Sequence, residues 1–221
     1  MDRTEVPYAS CAWDPDETVP VFPLMALSRH RLGSDGRGVT TLAAAWGCPL
    51  SCRMCLNPQC KDPKTPVRPV SPGDLYAMTR ADDLYFRATL GGITFGGGEP
   101  LSHAYFIKAF RKLAGDAWRI TVETSLSVFP GLLAAALQCV DEFIVDIKDM
   151  DPDIYRRYTG QEPDLAYANL ESLLAAAGPE RVLVRVPLIP GFNTREDVAR
   201  SEKALRRMGA ERLDLFTYVE R

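Results

Sequence analysis

A chain of 221 residues, 46% hydrophobic and 25% charged, can bury one substantial core and leaves little room for a second. Its net charge of −3 gives no general attraction to phosphate backbones, and no apolar run reaches the length that spans a bilayer, so neither nucleic acid nor membrane is an expected partner. The opening Met1-Asp2-Arg3-Thr4-Glu5 lacks the layout of a secretory signal, so a cytoplasmic, reducing location is expected, in which cysteines stay reduced.

Residues 1–38 carry Pro7, Pro15, Pro20, Pro23, Gly33, Gly36 and Gly38 and read as an irregular N-terminal arm placed to cover one end of the domain formed by residues 39–221. From there strand and helix patterns alternate. Val39–Ala45 reads as a first buried strand. Ser71-Pro72-Gly73-Asp74 then supplies a helix start, with a capping Ser, a first-position Pro and an acid at N3, ahead of an apolar stretch through Leu84. Further strands are expected at Gly92–Phe95, Arg119–Glu123, Glu142–Ile147, Arg181–Leu188 and Arg212–Tyr218. Helices fall between them at Leu101–Leu113, Leu132–Gln138, Leu165–Ala177 and Thr194–Met208, with Gly115, Gly178 and Gly209 as C-terminal stops. The expected product is an α/β fold, a partial (β/α)6 TIM-like barrel of parallel strands.

In such folds ligands bind beyond the carboxyl ends of the strands, and there the chemistry-bearing residues line up. The first strand runs into Cys48-x-x-x-Cys52-x-x-Cys55, the second into Gly96-Gly97-Gly98-Glu99-Pro100, the third into Glu123-Thr124-Ser125. The fourth delivers Asp146-Ile147-Lys148 and the fifth carries Arg185. Three thiolates can hold three corners of a cubane [4Fe–4S] cluster and leave one iron open to a ligand. A zinc site completed by Cys60, or unconnected core cysteines, is the competing reading. Glycines allow close backbone approach, Glu99 can pair with an ammonium, Lys148 with a carboxylate, and Glu123 and Asp146 with hydroxyls or a cation. Asp146 and Lys148 could equally be a structural ion pair. Cys139 on an Ala/Leu-rich helix reads as core, Cys11 and Cys60 as too scattered for a second cluster, and His30 and His103 as surface or turn residues.

These residues resemble the radical S-adenosylmethionine superfamily, and within it the pyruvate formate-lyase activating enzyme group of glycyl-radical enzyme activases. The likeness runs from about Ser34 to Tyr218 and rests on Cys48-Pro49-Leu50-Ser51-Cys52-Arg53-Met54-Cys55, on Gly96-Gly97-Gly98-Glu99-Pro100, on Glu123-Thr124-Ser125 and Asp146-Ile147-Lys148, on Tyr158-Thr159-Gly160 and on Arg185-Val186-Pro187-Leu188-Ile189-Pro190-Gly191. The resemblance implies a [4Fe–4S] cluster on Cys48, Cys52 and Cys55 that binds S-adenosylmethionine and cleaves it reductively to a 5′-deoxyadenosyl radical. That radical would take hydrogen from a glycine of a partner glycyl-radical enzyme, and the electron would come from a donor such as flavodoxin or ferredoxin. By position, Gly97, Gly98 and Glu99 would meet the cofactor's amino group, Lys148 its carboxylate, and Glu123 and Asp146 its ribose or a monovalent cation. Arg185 belongs with these cofactor-facing residues, and Met54 would pack on the adenine. Asp35, in Asp35-Gly36-Arg37-Gly38, would touch the substrate. The chain departs from the group at Arg37 for Pro, Thr40 for Arg, Leu56 for His and Val219 for His, and it ends without the usual final helix. A radical modification of a peptide or small metabolite, and a non-catalytic iron–sulfur protein that binds a partner or passes electrons, are the alternatives.

Overall fold

The computed structural model describes residues 19–33 and 35–218. Cys11, residues 1–18 of the arm and the Val219 position lie outside the described residues. β1 (Phe22–Leu32) runs antiparallel to β2 (Val39–Ala45), and its first three residues pair with β3 (Arg68–Val70). Two short helices follow, α1 (Pro72–Thr79) and α2 (Asp83–Thr89). Then strand and helix alternate through β4 (Gly92–Gly97), α3 (Ala104–Ala114), β5 (Arg119–Thr124), α4 (Pro130–Leu137) and β6 (Glu142–Asp146). The remainder is α5 (Pro152–Thr159), α6 (Asp164–Ala177), β7 (Val182–Leu188), α7 (Arg195–Arg207) and β8 (Arg212–Thr217). The sheet order is β3-β1-β2-β4-β5-β6-β7-β8, and each neighbouring pair from β2 to β8 is parallel. The parallel set comprises the strands expected from the sequence.

The periodicity of two along each parallel strand sorts the side chains. Ile93 and Phe95, Ile120 and Val122, Phe143 and Val145, and Val182, Val184 and Val186 alternate toward the helices. There they form one core with Phe106, Ile107, Phe110, Leu133, Leu170 and Leu173. The intervening positions, Thr94, Thr121, Glu123, Glu142, Asp146 and Arg185, face the other way, into the concave interior. Helix starts follow their caps. The Ser71 and Asp74 side chains bond reciprocally to each other's backbone N–H groups, as do those of Thr194 and Asp197, which satisfies two otherwise orphaned donors at each helix.

Three features depart from expectation. The arm is not irregular throughout: residues 22–32 form β1 inside the same sheet. Pro23 is tolerated because it faces Pro69 across the β1–β3 pair, where neither residue has an N–H to satisfy, while its carbonyl accepts from Trp46 N at 2.9 Å. The helix expected through Leu84 breaks after Thr79, because Asp82 is drawn inward, fully buried. Its carboxylate there accepts from Thr41 Oγ1 at 2.8 Å and from Arg29, and lies 3.0 Å from His30 Nε2. Finally, α5 was not expected as an element, although Asp151 caps it through Asp153 N and Ile154 N, Pro152 opens it and Gly160 closes it in the left-handed region.

Asp82 ties β1 to β2 and to the helical connection. Burial opposes its ionisation, but hydrogen bonds from Arg29 and Thr41, with the charges of Arg29 and His30, hold its carboxyl below the usual carboxylate range. The stabilisation is therefore complete above the unfolded-state value of about 4 and is lost as pH falls through the lower folded value. Replacing Asp82→Asn should lower the denaturant midpoint at neutral pH, and the gap from wild type should narrow as the titration is carried below pH 4.

Candidate active site at the carboxyl ends of the strands

The loop leaving β2 carries Cys48, Cys52 and Cys55, all free and partly exposed. Its shape is imposed from three sides. Gly47 N donates to Cys60 O at 2.7 Å, and Lys61 Nζ donates to Leu50 O and Ser51 Oγ, both at 2.7 Å. From below, Gly98 N donates to Ala45 O and Glu99 N to Gly47 O, a contact so close that a Cβ on Gly98 would fall 2.0 Å from the Gly47 carbonyl oxygen. From the side, the end of α5 accepts Ser51 N on Thr159 O and Arg53 N on Tyr158 O, and the Tyr158 hydroxyl donates to Met54 O at 3.1 Å. The glycine run therefore serves the cysteine loop first, by letting two backbones touch.

Glu99 is 1% exposed. One oxygen accepts from Leu101 N and Thr124 Oγ1, the other from Ser125 N and Ser125 Oγ, which occupies the four acceptor positions of a carboxylate. Burial pushes its pKa up and these donors pull it back. The turn that carries the Thr124 and Ser125 hydroxyls is held by Asn169, whose Nδ2 donates to Leu126 O at 2.9 Å and Val128 O at 2.7 Å.

On the next strands the charges interlock. Arg185 donates to Asp146 Oδ1 at 2.7 Å and lies 3.2 Å from Glu123 Oε1; Lys148 Nζ lies 3.2 Å from Asp146 Oδ2 and 3.4 Å from the Tyr218 hydroxyl. Burial works against the Lys148 charge, but Asp146 outweighs it and raises the ammonium above its usual value. Burial likewise opposes Asp146, whose two cationic neighbours nevertheless keep its carboxyl low. Glu123 is pushed up by burial, partly offset by Arg185. The Arg185 guanidinium lies between Glu123 and Asp146, the two carboxylates expected to face the ribose or a monovalent cation.

Met54 stands beside Tyr158, Phe192, Phe216 and Tyr218 in a small apolar cluster of its own, apart from the main core. Asp35 is buried, with its carboxylate held by Arg31 and its carbonyl accepting from Thr94 Oγ1 at 2.5 Å. Cys139 is core. His103 sits half-buried in the turn after β4, edge-on to Phe22 with ring centroids 5.4 Å apart; exposed His30 pairs with Asp82. The sequence gives Thr124 and Ser125 a place on the rim but no role, and Tyr158 and Tyr218 lie in segments of the resemblance without being assigned to the site.

The donor set fits an iron–sulfur cluster. Cys48, Cys52 and Cys55 are free, partly exposed thiols on one loop, and a cubane takes each thiolate on a different iron. Burial lifts Cys48 to about 12 and raises Cys52 as well, and Glu99 acts on the first and Lys148 on the second, so the thiols lie within electrostatic reach of the charged rim. Cys60 is buried against Cys55 and within reach of Cys48 and Cys52.

A thiol loop above a ring of buried charges, at the carboxyl end of a partial parallel barrel, defines a cofactor-binding β/α barrel with an iron–sulfur centre. The chain belongs to the radical SAM superfamily, which residues 46–201 match, a family that uses a [4Fe–4S] cluster and S-adenosylmethionine. It is 30% identical over 193 residues to the (2S)-3-sulfopropanediol dehydratase activating enzyme of Klebsiella oxytoca, covering 85% of this chain and 56% of that protein. The chain thus spans little more than half the length of that relative. It is 25% identical over 235 residues to the 4-hydroxyphenylacetate decarboxylase activating enzyme of Clostridioides difficile, covering 78% of this chain and 73% of that one. The solved structure of Streptococcus suis SuiB bound to S-adenosylmethionine shares the fold, with a TM-score of 0.62 at 13% identity over 80% of this chain and 39% of that chain.

Replacing Cys48, Cys52 or Cys55 with Ala should abolish the visible absorption and the bound iron and sulfide after anaerobic reconstitution. Cys60→Ser should retain both, because Cys60 supports the loop from beneath.

Proposed function

We propose that this chain is an activase that generates a glycine-centred radical on a partner enzyme. The observation that carries the reading is the convergence, over five successive parallel strands, of three thiols, Glu99, Glu123, Asp146, Lys148 and Arg185 on one rim. Its support beyond the site is the likeness to relatives that are themselves named as activating enzymes. Bound together, a reduced [4Fe–4S] cluster on the three thiolates and S-adenosylmethionine supply a 5′-deoxyadenosyl radical able to take a hydrogen atom.

The protein's own groups bind and shield. Lys148, kept cationic by Asp146, is placed for the cofactor's carboxylate, and the Thr124–Ser125 hydroxyls with Glu99 for its ammonium. Met54 and the aromatic rings of Tyr158 and Phe192 offer the adenine an apolar bed. Arg185 holds the Glu123 and Asp146 carboxylates in place. An electron donor of the flavodoxin or ferredoxin type and a reducing cytoplasm belong to the same reading; no described helix is long and apolar enough to cross a membrane, and the described cysteines are all free.

Reconstituted enzyme, reduced with dithionite in the presence of S-adenosylmethionine, should release 5′-deoxyadenosine and methionine in equal amounts by mass spectrometry. A candidate glycyl-radical enzyme should then develop a doublet radical signal; cleavage without that signal across all candidates would point to another acceptor. Lys148→Met should keep the cluster and weaken S-adenosylmethionine binding at least tenfold by calorimetry, the loss of a buried charge-assisted contact.

A further inference from the structure

Leu126 is fully buried and has a φ of +59°, in the left-handed region that a residue with a branched side chain occupies only at a cost. It follows directly on Thr124 and Ser125, whose hydroxyls reach Glu99. Its side chain belongs to the main core, and its backbone is committed on both sides. The Leu126 N–H donates to Thr124 Oγ1 at 2.9 Å, and its carbonyl accepts from Val128 N at 2.8 Å and from Asn169 Nδ2 at 2.9 Å. Asn169 donates a second time, to Val128 O at 2.7 Å. It stands on α6 in the outer helical layer, 43 positions along the chain from Leu126, and is 2% exposed.

The left-handed residue reverses the chain immediately after Ser125, and that reversal brings the Ser125 N–H and hydroxyl onto one Glu99 oxygen, at 2.9 and 2.7 Å. The Thr124 and Ser125 hydroxyls each donate their single hydrogen to Glu99. A hydroxyl oxygen also has two acceptor positions, and in each case the turn itself uses one of them. Leu126 N donates to Thr124 Oγ1 at 2.9 Å and Ser127 N to Ser125 Oγ at 3.4 Å. One acceptor position per hydroxyl is left for a ligand cation, and the carboxylate behind it makes that oxygen a better acceptor. Glu99 lies close enough to act on Cys48, so these acceptors stand at the edge of the thiol loop.

We propose that Asn169 is a positioning residue for cofactor binding: from outside the barrel it holds Leu126 in the left-handed conformation and so aims the Thr124 and Ser125 hydroxyl oxygens at the ammonium of S-adenosylmethionine. The inference rests on the placement of that ammonium at Glu99 and its two hydroxyls. Asn169 touches no ligand; it acts through two carbonyls. Without its amide the Leu126 and Val128 carbonyls each lose a buried donor, and nothing from α6 offsets the cost of the positive φ. Leu126 then relaxes toward an ordinary conformation, which swings Ser125 away from Glu99.

The test is calorimetry on reconstituted enzyme with two ligands: S-adenosylmethionine, and 5′-methylthioadenosine, which keeps the nucleoside and sulfur but has no ammonium or carboxylate. Asn169→Ala should keep the cluster absorption and bind S-adenosylmethionine at least tenfold more weakly, as expected when a contact to a charged group is lost, while 5′-methylthioadenosine stays within about twofold. Equal weakening of both ligands, the mark of a loosened fold, overturns the proposal, as does unchanged binding of S-adenosylmethionine. A double-mutant cycle gives a second reading. Ser125→Ala alone should also cost about tenfold, and Asn169→Ala with Ser125→Ala should cost no more than about threefold beyond either single change, because both act through one contact. Losses that multiply to about a hundredfold overturn the positioning role. The cycle decides alone should 5′-methylthioadenosine fail to bind wild type, and Asn169→Ser, which keeps one donor, replaces Asn169→Ala should the latter misfold by circular dichroism. Failure of the underlying placement shows separately: Ser125→Ala binding S-adenosylmethionine as wild type does removes the ammonium from this turn and the proposal with it, whereas a loss in Ser125→Ala that Asn169→Ala does not share overturns the role of Asn169 only.

Discussion

Three strands of this barrel turn ionised groups into one confined interior, and the Arg185 guanidinium is what makes that arrangement stable. It lies between Glu123 on β5 and Asp146 on β6. Two carboxylates facing each other there without a cation would raise one another's pKa and favour protonation. With the guanidinium in place Asp146 stays ionised, and an ionised Asp146 in turn holds Lys148 charged despite its burial. The dependence is mutual: Lys148 and Arg185 together hold Asp146 ionised, Asp146 holds Lys148 charged, and Lys148 reaches the edge of the thiol loop through its effect on Cys52.

The cysteine loop depends on a different device, contact between backbones. Its ends are pinned by the glycines of β4 and by the carboxyl end of α5, and few of its restraints come from apolar side chains of the main core. Such a loop keeps its path without filling the space above it, and the thiols stay partly exposed where a cluster and its ligand need room. Asp149 extends the same principle to the neighbouring loop. Its oxygens accept from Asn193, Ser201 and the Asp151 backbone, which joins the turn after β6 to the turn after β7 and to α7. The rim is thus a set of loops fastened to one another, standing on strands whose outer faces are fastened to helices.

The two ends of the interior differ in how completely they are satisfied. At the carboxyl end Glu99 has all four acceptor positions filled, and the Glu123–Arg185–Asp146–Lys148 chain is continuous. At the amino end Glu142 and Arg119 are left incomplete, although both are strand residues with fixed backbones. A closed network preorganises a site for a small cofactor held in one pose.

Much of this was legible in the sequence. The period-two apolar runs placed β2 and β4 to β8, caps and glycines placed most helices, and the spacing of Cys48, Cys52 and Cys55 pointed to a metal site whose cofactor class the resemblance supplied, because each of these signals is carried by residues close together in the chain. Pro20 and Pro23 hid β1, since a proline forbids a strand only where a neighbour needs its N–H, and that neighbour, Pro69, is 46 positions away from Pro23. The split between α1 and α2 was hidden for the same reason, as Asp82 answers to Arg29 and Thr41 across long separations. Tertiary structure alone decided that Arg185 would occupy the gap between Glu123 and Asp146, that α5 would brace the thiol loop, and that Glu142 would face Arg119 without completing a bond. Those outcomes depend on the register of parallel strands, which is fixed by packing against helices that the strands themselves do not encode.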